Sequence, residues 1–233
     1  MNGEETMLFE LVELEKFLNH IKDCNNIILR HDVDLDLNSA LRLAKLEKDI
    51  GVDSIFLIRV TGETYNPLSR KNRKIIKEIH DMGFRIGLHF DTSIYDTNNL
   101  TELVEFAKEE SNVLSSIIND DIWFISIHNP SIHGKIPLLR GFYNMHHLYD
   151  GYLSDSGMEF NKDPYKFLEE ESEGTKQIIL HPCHYTNEGD NYAKITYNYL
   201  WDFIHYIDKR FRLNSGYEKV MKGKRFRLEI IDD

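Results

Sequence analysis

Short β-branched or aromatic runs in this chain keep ending in histidine or aspartate. Ile27-Ile28-Leu29 runs into Arg30-His31-Asp32-Val33-Asp34, and Phe84–Leu88 into His89-Phe90-Asp91. Ile122–Ile127 leads to His128-Asn129-Pro130, Tyr152-Leu153-Ser154 to Asp155, and Gln177–Leu180 to His181-Pro182. With Ser54–Val60 these make six strand candidates, of which only the Ser54–Val60 run ends without an acid or imidazole. Helical patterns separate them, and strand–helix alternation is the signature of an α/β fold with parallel strands. In such a fold every strand C-terminus opens on one face, so residues distant in sequence converge there.

The helices carry their own punctuation. In Leu37–Gly51, Leu37, Leu41, Ala44 and Ile50 share a face, Asp34 or Asp36 suits the N-cap, and Gly51 the C-terminus. A second helix presents Ile75, Ile76, Ile79 and Met82 and stops at Gly83. Leu100–Ile118 and Tyr192–Phe211 complete the set. No linker, repeat or low-complexity tract interrupts the chain, which reads as one catalytic domain over 1–233. Within it, 1–25 forms an N-terminal helix on the barrel bottom or edge, and 190–233 a helical extension packed on the barrel.

A formal charge of −11 argues against a nucleic-acid binder with a broad basic face. Two cysteines, Cys24 and Cys183, are too few for a disulfide framework or a cysteine-rich zinc module. No apolar run reaches the roughly 18 residues of a membrane span, and the acidic, amphipathic start is unlike a secretion signal. A cytoplasmic location is the expectation.

A lone histidine after a strand is most often a packed or loop residue, and a lone aspartate there a helix cap. Repetition at successive strand ends is what packing does not explain. The chemistry that fits is metal-assisted hydrolysis: three His or carboxylate ligands, an open position, a free carboxylate base and an imidazolium acid. In Asp32-Val33-Asp34 the i, i+2 spacing lets one acid reach a metal while the other faces water. Tyr65, Tyr95, Tyr143, Tyr149, Tyr152 and Tyr185 and the pair His146-His147 fall in loops near this face, where packing is the commoner fate and sugar stacking the alternative. Adjacent Cys183 and His184 read as incidental. The basic run from Lys219 to Arg227 reads as a solvated tail.

These motifs, in this order over residues 27–185, resemble the polysaccharide deacetylase-like proteins of carbohydrate esterase family four, with the NodB-homology fold. The similarity is to the HDVD-type branch associated with bacterial surface-polysaccharide biosynthesis. The resemblance implies a distorted (β/α)7 TIM-like barrel, a divalent metal (commonly zinc), and removal of an N-acetyl group from an amino-sugar or polysaccharide-precursor substrate. Carried over by position, Asp32 matches the catalytic base, Asp34 the metal-binding acid, His89 the first histidine ligand and His181 the catalytic acid. Leu180 would line the acetyl pocket.

Two departures stand out. Ser93 occupies the place of the family's second histidine ligand, and Asn129 that of an arginine that orients the base. His128, from the next strand end, is the expected replacement ligand, with Asp91 as its rival. Arg30 or His31 is expected to take over from the arginine, and Arg30, Asp91, Asp155 and Leu180 are expected to bind substrate. A catalytically idle carbohydrate-binding relative is the alternative, and a phosphoesterase or other small-molecule hydrolase on the same barrel is the third class.

Overall fold

The protein is described by a computed structural model covering residues 9–130, 136–170 and 174–224. Residues 1–8 of the expected N-terminal helix and residues 225–227 of the basic run lie outside the described residues. The chain forms two compact units that part between Gly189 and Asp190.

The first unit runs α1 (Leu11–Ile21), β1 (Ile27–Val33), α2 (Leu37–Ile50), β2 (Ile55–Ile58), α3 (Arg70–Asp81) and β3 (Arg85–Phe90). It continues through α4 (Leu100–Ile118), β4 (Phe124–Ile127), β5 (Tyr143–Asn144), β6 (Gly151–Ser154), α5 (Pro164–Glu169) and β7 (Lys176–Leu180). All seven strands pair in parallel, in the order β5-β4-β3-β2-β1-β7-β6. Among the described residues the edge strands β5 and β6 do not pair with each other. The sheet curls into a half-barrel, with Ile55 and Leu57 of β2 and Met145 clustered inside it against Ile28 and Phe124. Six residues, 145–150, lead from β5 to β6 across the open side, and the Met145 carbonyl accepts a bond from Gln177 Nε2 at 3.0 Å.

Strand alternation sorts the side chains into two layers. On β1 the even-numbered residues face the barrel interior, so Arg30 and Asp32 meet there. Odd-numbered residues face the helices. On β3, Gly87 faces inward below His89; a Cβ there would lie 2.4 Å from Leu57 Cδ2 and 2.7 Å from the Phe124 carbonyl oxygen. Only glycine fits against the β4 backbone at this point. The larger core lies outside the barrel, where Val33, Phe56, Leu88, Ile127 and Leu180 pack beneath helices α1–α4.

Helix ends follow the chemistry of their sequence. Asp36, not Asp34, caps α2 by accepting from Ser39 N at 2.9 Å, and Gly51 closes it at φ 87°. The buried face of α2 is Leu37, Ala40, Leu43, Ala44 and Glu47, rotated from the expected one; Leu41 and Ile50 are only half-buried. Helix α1 packs against α2 and, through Phe17 and Tyr165, against α5. Its entry is tied to the segment after β7 by reciprocal bonds, Leu11 N to Thr186 O and Thr186 N to Phe9 O.

The second unit contains α6 (Tyr192–Phe211) and α7 (Ser215–Met221). Asp208 joins them, accepting from Arg212 Nε at 2.8 Å and from the Tyr217 hydroxyl at 2.5 Å. No described helix is long and apolar enough to cross a membrane.

Candidate metal centre and active site

Three residues from three strand ends meet at the barrel mouth. Asp34 follows β1, His89 ends the inward row of β3, and His128 follows β4. Asp34 Oδ1 lies 3.3 Å from His89 Nε2 and 3.3 Å from His128 Nδ1, and the two nitrogens are 3.3 Å apart. Four ligands placed tetrahedrally at about 2.0–2.1 Å from a metal stand about 3.3–3.4 Å apart. The triangle therefore has the dimensions of one face of a tetrahedral site.

The proton positions agree. His89 Nδ1 lies 2.6 Å from Ser126 Oγ, whose hydroxyl faces Asp32 Oδ1 at 3.5 Å. Donation along that line leaves His89 Nε2 as a bare lone pair aimed at Asp34, an orientation typical of metal-bound histidine. Asp34 Oδ1 is buried without a hydrogen-bond donor of its own. Burial alone would raise the Asp34 pKa; with the His128 and His89 imidazoles protonated, as metal-free protein allows, their hydrogen bonds and charge outweigh it and hold the carboxyl far below its usual range. A buried anionic oxygen facing two imidazole nitrogens is a donor set that could hold a divalent cation. His128 has the side-chain amide of Asn129 2.9 Å from its Nε2. Asn129 adopts φ 46°, a left-handed conformation that asparagine tolerates.

Asp32 sits beside this triangle and is not part of it. Its Oδ2 accepts from Arg30 Nη2 at 3.1 Å, and its Oδ1 lies 4.0 Å from His89 Nδ1. Burial would raise its pKa, yet the charges of Arg30, His89 and His181 prevail and lower it. On the other side stands His181, with Nε2 3.6 Å from Asp34 Oδ2. Its Nδ1 donates to Asp155 Oδ1 at 2.6 Å. Burial would depress the imidazole, but Asp155 overcomes it by charge and hydrogen bond, helped by Asp32 and Asp34, and pushes the pKa up to about 9.

Several expected site residues lie elsewhere. His31 points away from the mouth: its Nε2 meets Glu47 Oε1 of α2 at 2.6 Å, and Glu47 also accepts from Ser54. Leu180 pairs in register with His31 and shares its outward face, so it packs in the helix-side core and lines no acetyl pocket. Asp155 is fully buried, with both oxygens taken by His181, His184 and Tyr185; it positions His181 and has no oxygen left for substrate. Arg30 is 1 % exposed and donates to Asp32 from inside the barrel. Asp91 is buried as well. The chain turns away after Phe90, so Asp91 binds Arg59 Nη2 at 2.7 Å and caps the turn at Ser93, 4.0 Å from the far nitrogen of His128. It is not the third member of the triangle.

Ser126 and Arg59 join the site's framework without having been singled out; Tyr185, expected near this face with packing as the commoner fate, and His184, read with Cys183 as incidental, both bond to Asp155. Ser126 was legible: it lies two residues before His128 on the same strand, hence on the same inward face. That Tyr185 packs at this face was expected; that its hydroxyl donates to Asp155 had no sequence signal.

Together, fold and mouth define a parallel α/β half-barrel with an Asp-His-His cluster flanked by a second carboxylate and a carboxylate-bound imidazole. No protein-family model and no curated protein matches the sequence. Among solved structures the chain is similar to a mutant described as a CE4 family pseudoenzyme, at TM-score 0.51 and 12% identity over 78% of this chain and 64% of that one. It is also similar to the wild-type CE4 pseudoenzyme from Bacillus anthracis, at TM-score 0.50 and 12% identity over 78% and 62%. A chitin deacetylase from Colletotrichum lindemuthianum matches at TM-score 0.47 and 14% identity over 76% and 81%. The chain thus shares the fold of carbohydrate esterase family four at low sequence identity, and it spans less than two thirds of the length of the two pseudoenzyme structures.

Proposed function

We propose that this protein is a metal-dependent deacetylase that hydrolyses the N-acetyl group of an amino sugar, as a cytoplasmic step in surface-polysaccharide biosynthesis, with zinc as its metal. The observation that carries the reading is the 3.3 Å triangle of Asp34, His89 and His128 with the Asp32 carboxylate on one side and the Asp155-bound imidazole of His181 on the other.

A divalent cation held by Asp34, His89 and His128 would polarise the acyl oxygen and acidify water. Asp32 takes the proton of the attacking water. Arg30 and Ser126 fix its carboxylate, and its lowered pKa keeps it ionised. His181, kept protonated by Asp155, gives its Nε2 proton to the departing amine.

Asp32→Asn tests the assignment. Acetate release from N-acetylated chitooligosaccharide should fall by about 10²–10⁴-fold, with metal content unchanged. Full activity in that variant removes Asp32 as the base. An idle carbohydrate-binding role is the second reading, favoured by Ser93, which stands where a ligand is expected and bonds to Asp91 through its backbone N–H and hydroxyl. Metal-loaded wild-type protein that binds the sugar and releases no acetate would establish it.

A further inference from the structure

The geometry points to His146 as a substrate-binding residue, accepting a hydrogen bond at Nδ1 from an N–H or O–H beside the acetyl group of an acetylated amino sugar. This deepens the deacetylase reading and rests on it.

His146 lies in the single 3-10 turn Met145–His147 that follows β5. Met145 anchors the turn inside the barrel, fully buried against Ile55 and Leu57. His146 Nε2 lies 3.2 Å from the carbonyl oxygen of Ile127, the residue before His128. A carbonyl only accepts, so Nε2 carries the proton and Nδ1 the lone pair. The ring is half-buried and lies within the electrostatic reach of Arg30, Asp32 and His89, the inward residues of β1 and β3. Burial, with Arg30 next, pushes its pKa down to about 4, so the imidazole stays neutral near pH 7. Among the described residues no group pairs with Nδ1.

The other groups at the mouth are committed. Asp34, His89 and His128 face one another at 3.3 Å. Asp32 is held by Arg30 and Ser126, and His181 presents a donor. His146 is left as the neutral acceptor of the site. An acetamido sugar offers two matching donors, the amide N–H and a neighbouring hydroxyl.

Calorimetric titration of the metal-loaded protein with tri-N-acetylchitotriose tests this. His146→Phe keeps a ring and removes the acceptor; His146→Gln restores an acceptor oxygen. His146→Phe should bind about tenfold more weakly and His146→Gln within about threefold of wild type, the scale of one neutral hydrogen bond. Both variants should keep wild-type metal content. Unchanged affinity in His146→Phe, equal losses in both variants, or no wild-type binding overturns the proposal. Acetate is measured in the same samples. The expected affinity pattern without acetate release sinks the hydrolase reading and leaves the binding role of His146 standing, whereas acetate release with unchanged affinities does the reverse.

Discussion

Two clusters of one aspartate and two histidines sit at the same barrel mouth, and they are built for opposite tasks. In Asp34-His89-His128 the three facing atoms are 3.3 Å apart, and the Asp34 oxygen has no donor. In Asp155-His181-His184 both imidazoles turn Nδ1 toward the carboxylate, at 2.6 and 3.2 Å, and Tyr185 and the His181 backbone N–H complete its coordination. Both groups bring similar ligand atoms together. Only the first holds a carboxylate oxygen without a donor of its own against two imidazole nitrogens. The second uses its lone pairs on protons, and so tunes an imidazole instead of holding a cation. Residue composition does not separate a metal site from a proton relay; the pairing of each nitrogen does.

The strongest way to break this contrast is to remove one imidazole from each cluster. His89→Ala should abolish stoichiometric zinc binding in elemental analysis, whereas His184→Ala should leave it intact. Zinc lost from both, or from His184→Ala alone, would erase the distinction.

Asp155→Asn should come next, lowering turnover by about a hundredfold while zinc content holds. The raised pKa of His181 depends on the Asp155 charge, so the alkaline limb of the pH–rate profile should move to lower pH. The same pair is linked to stability. Because the folded pKa of His181 is raised from 6.5 to about 9, its contribution is fully present below 6.5 and is lost as pH rises through about 9. Seen from Asp155, whose folded pKa is depressed, the contribution is present above 3.8 and lost as pH falls below it. Denaturant unfolding of metal-free protein should show wild type losing about 2 kcal/mol between neutral and strongly alkaline pH, and Asp155→Asn much less.

The smallest effect should come from Ser126→Ala, which removes the partner of His89 Nδ1. Zinc affinity should weaken by about tenfold in competition with a chelator. No change would mean that His89 needs no help to keep Nε2 free.

Much of this was legible in the chain. The strand ends at Asp34, His89, His128 and His181 could be read because apolar runs stop where polar side chains meet solvent, and parallel topology then gathers them. The period of 3.6 marked α4 and α6 at their observed bounds, Leu100–Ile118 and Tyr192–Phe211. Strand β5 escaped notice because two residues, Tyr143-Asn144, carry no alternation to read. His31 was misplaced although its parity was visible. Adjacent residues on a strand face opposite sides, so His31 could not share a site with Asp32; it meets Glu47, sixteen residues away on α2.

Local chemistry alone determined which residues end strands, which cap helices and which side of a strand each side chain takes, because these depend on neighbours within a turn or two. Tertiary structure alone decided what each polar group does once gathered. Asp155 and Asp34 are the same residue type at equivalent strand ends; one is surrounded by donors and the other faces two imidazoles with an oxygen that has no donor of its own, and those partners come from segments up to 94 residues apart in the chain. Long-range packing sets that difference, since a carboxylate's role follows from the proton inventory of what is folded against it.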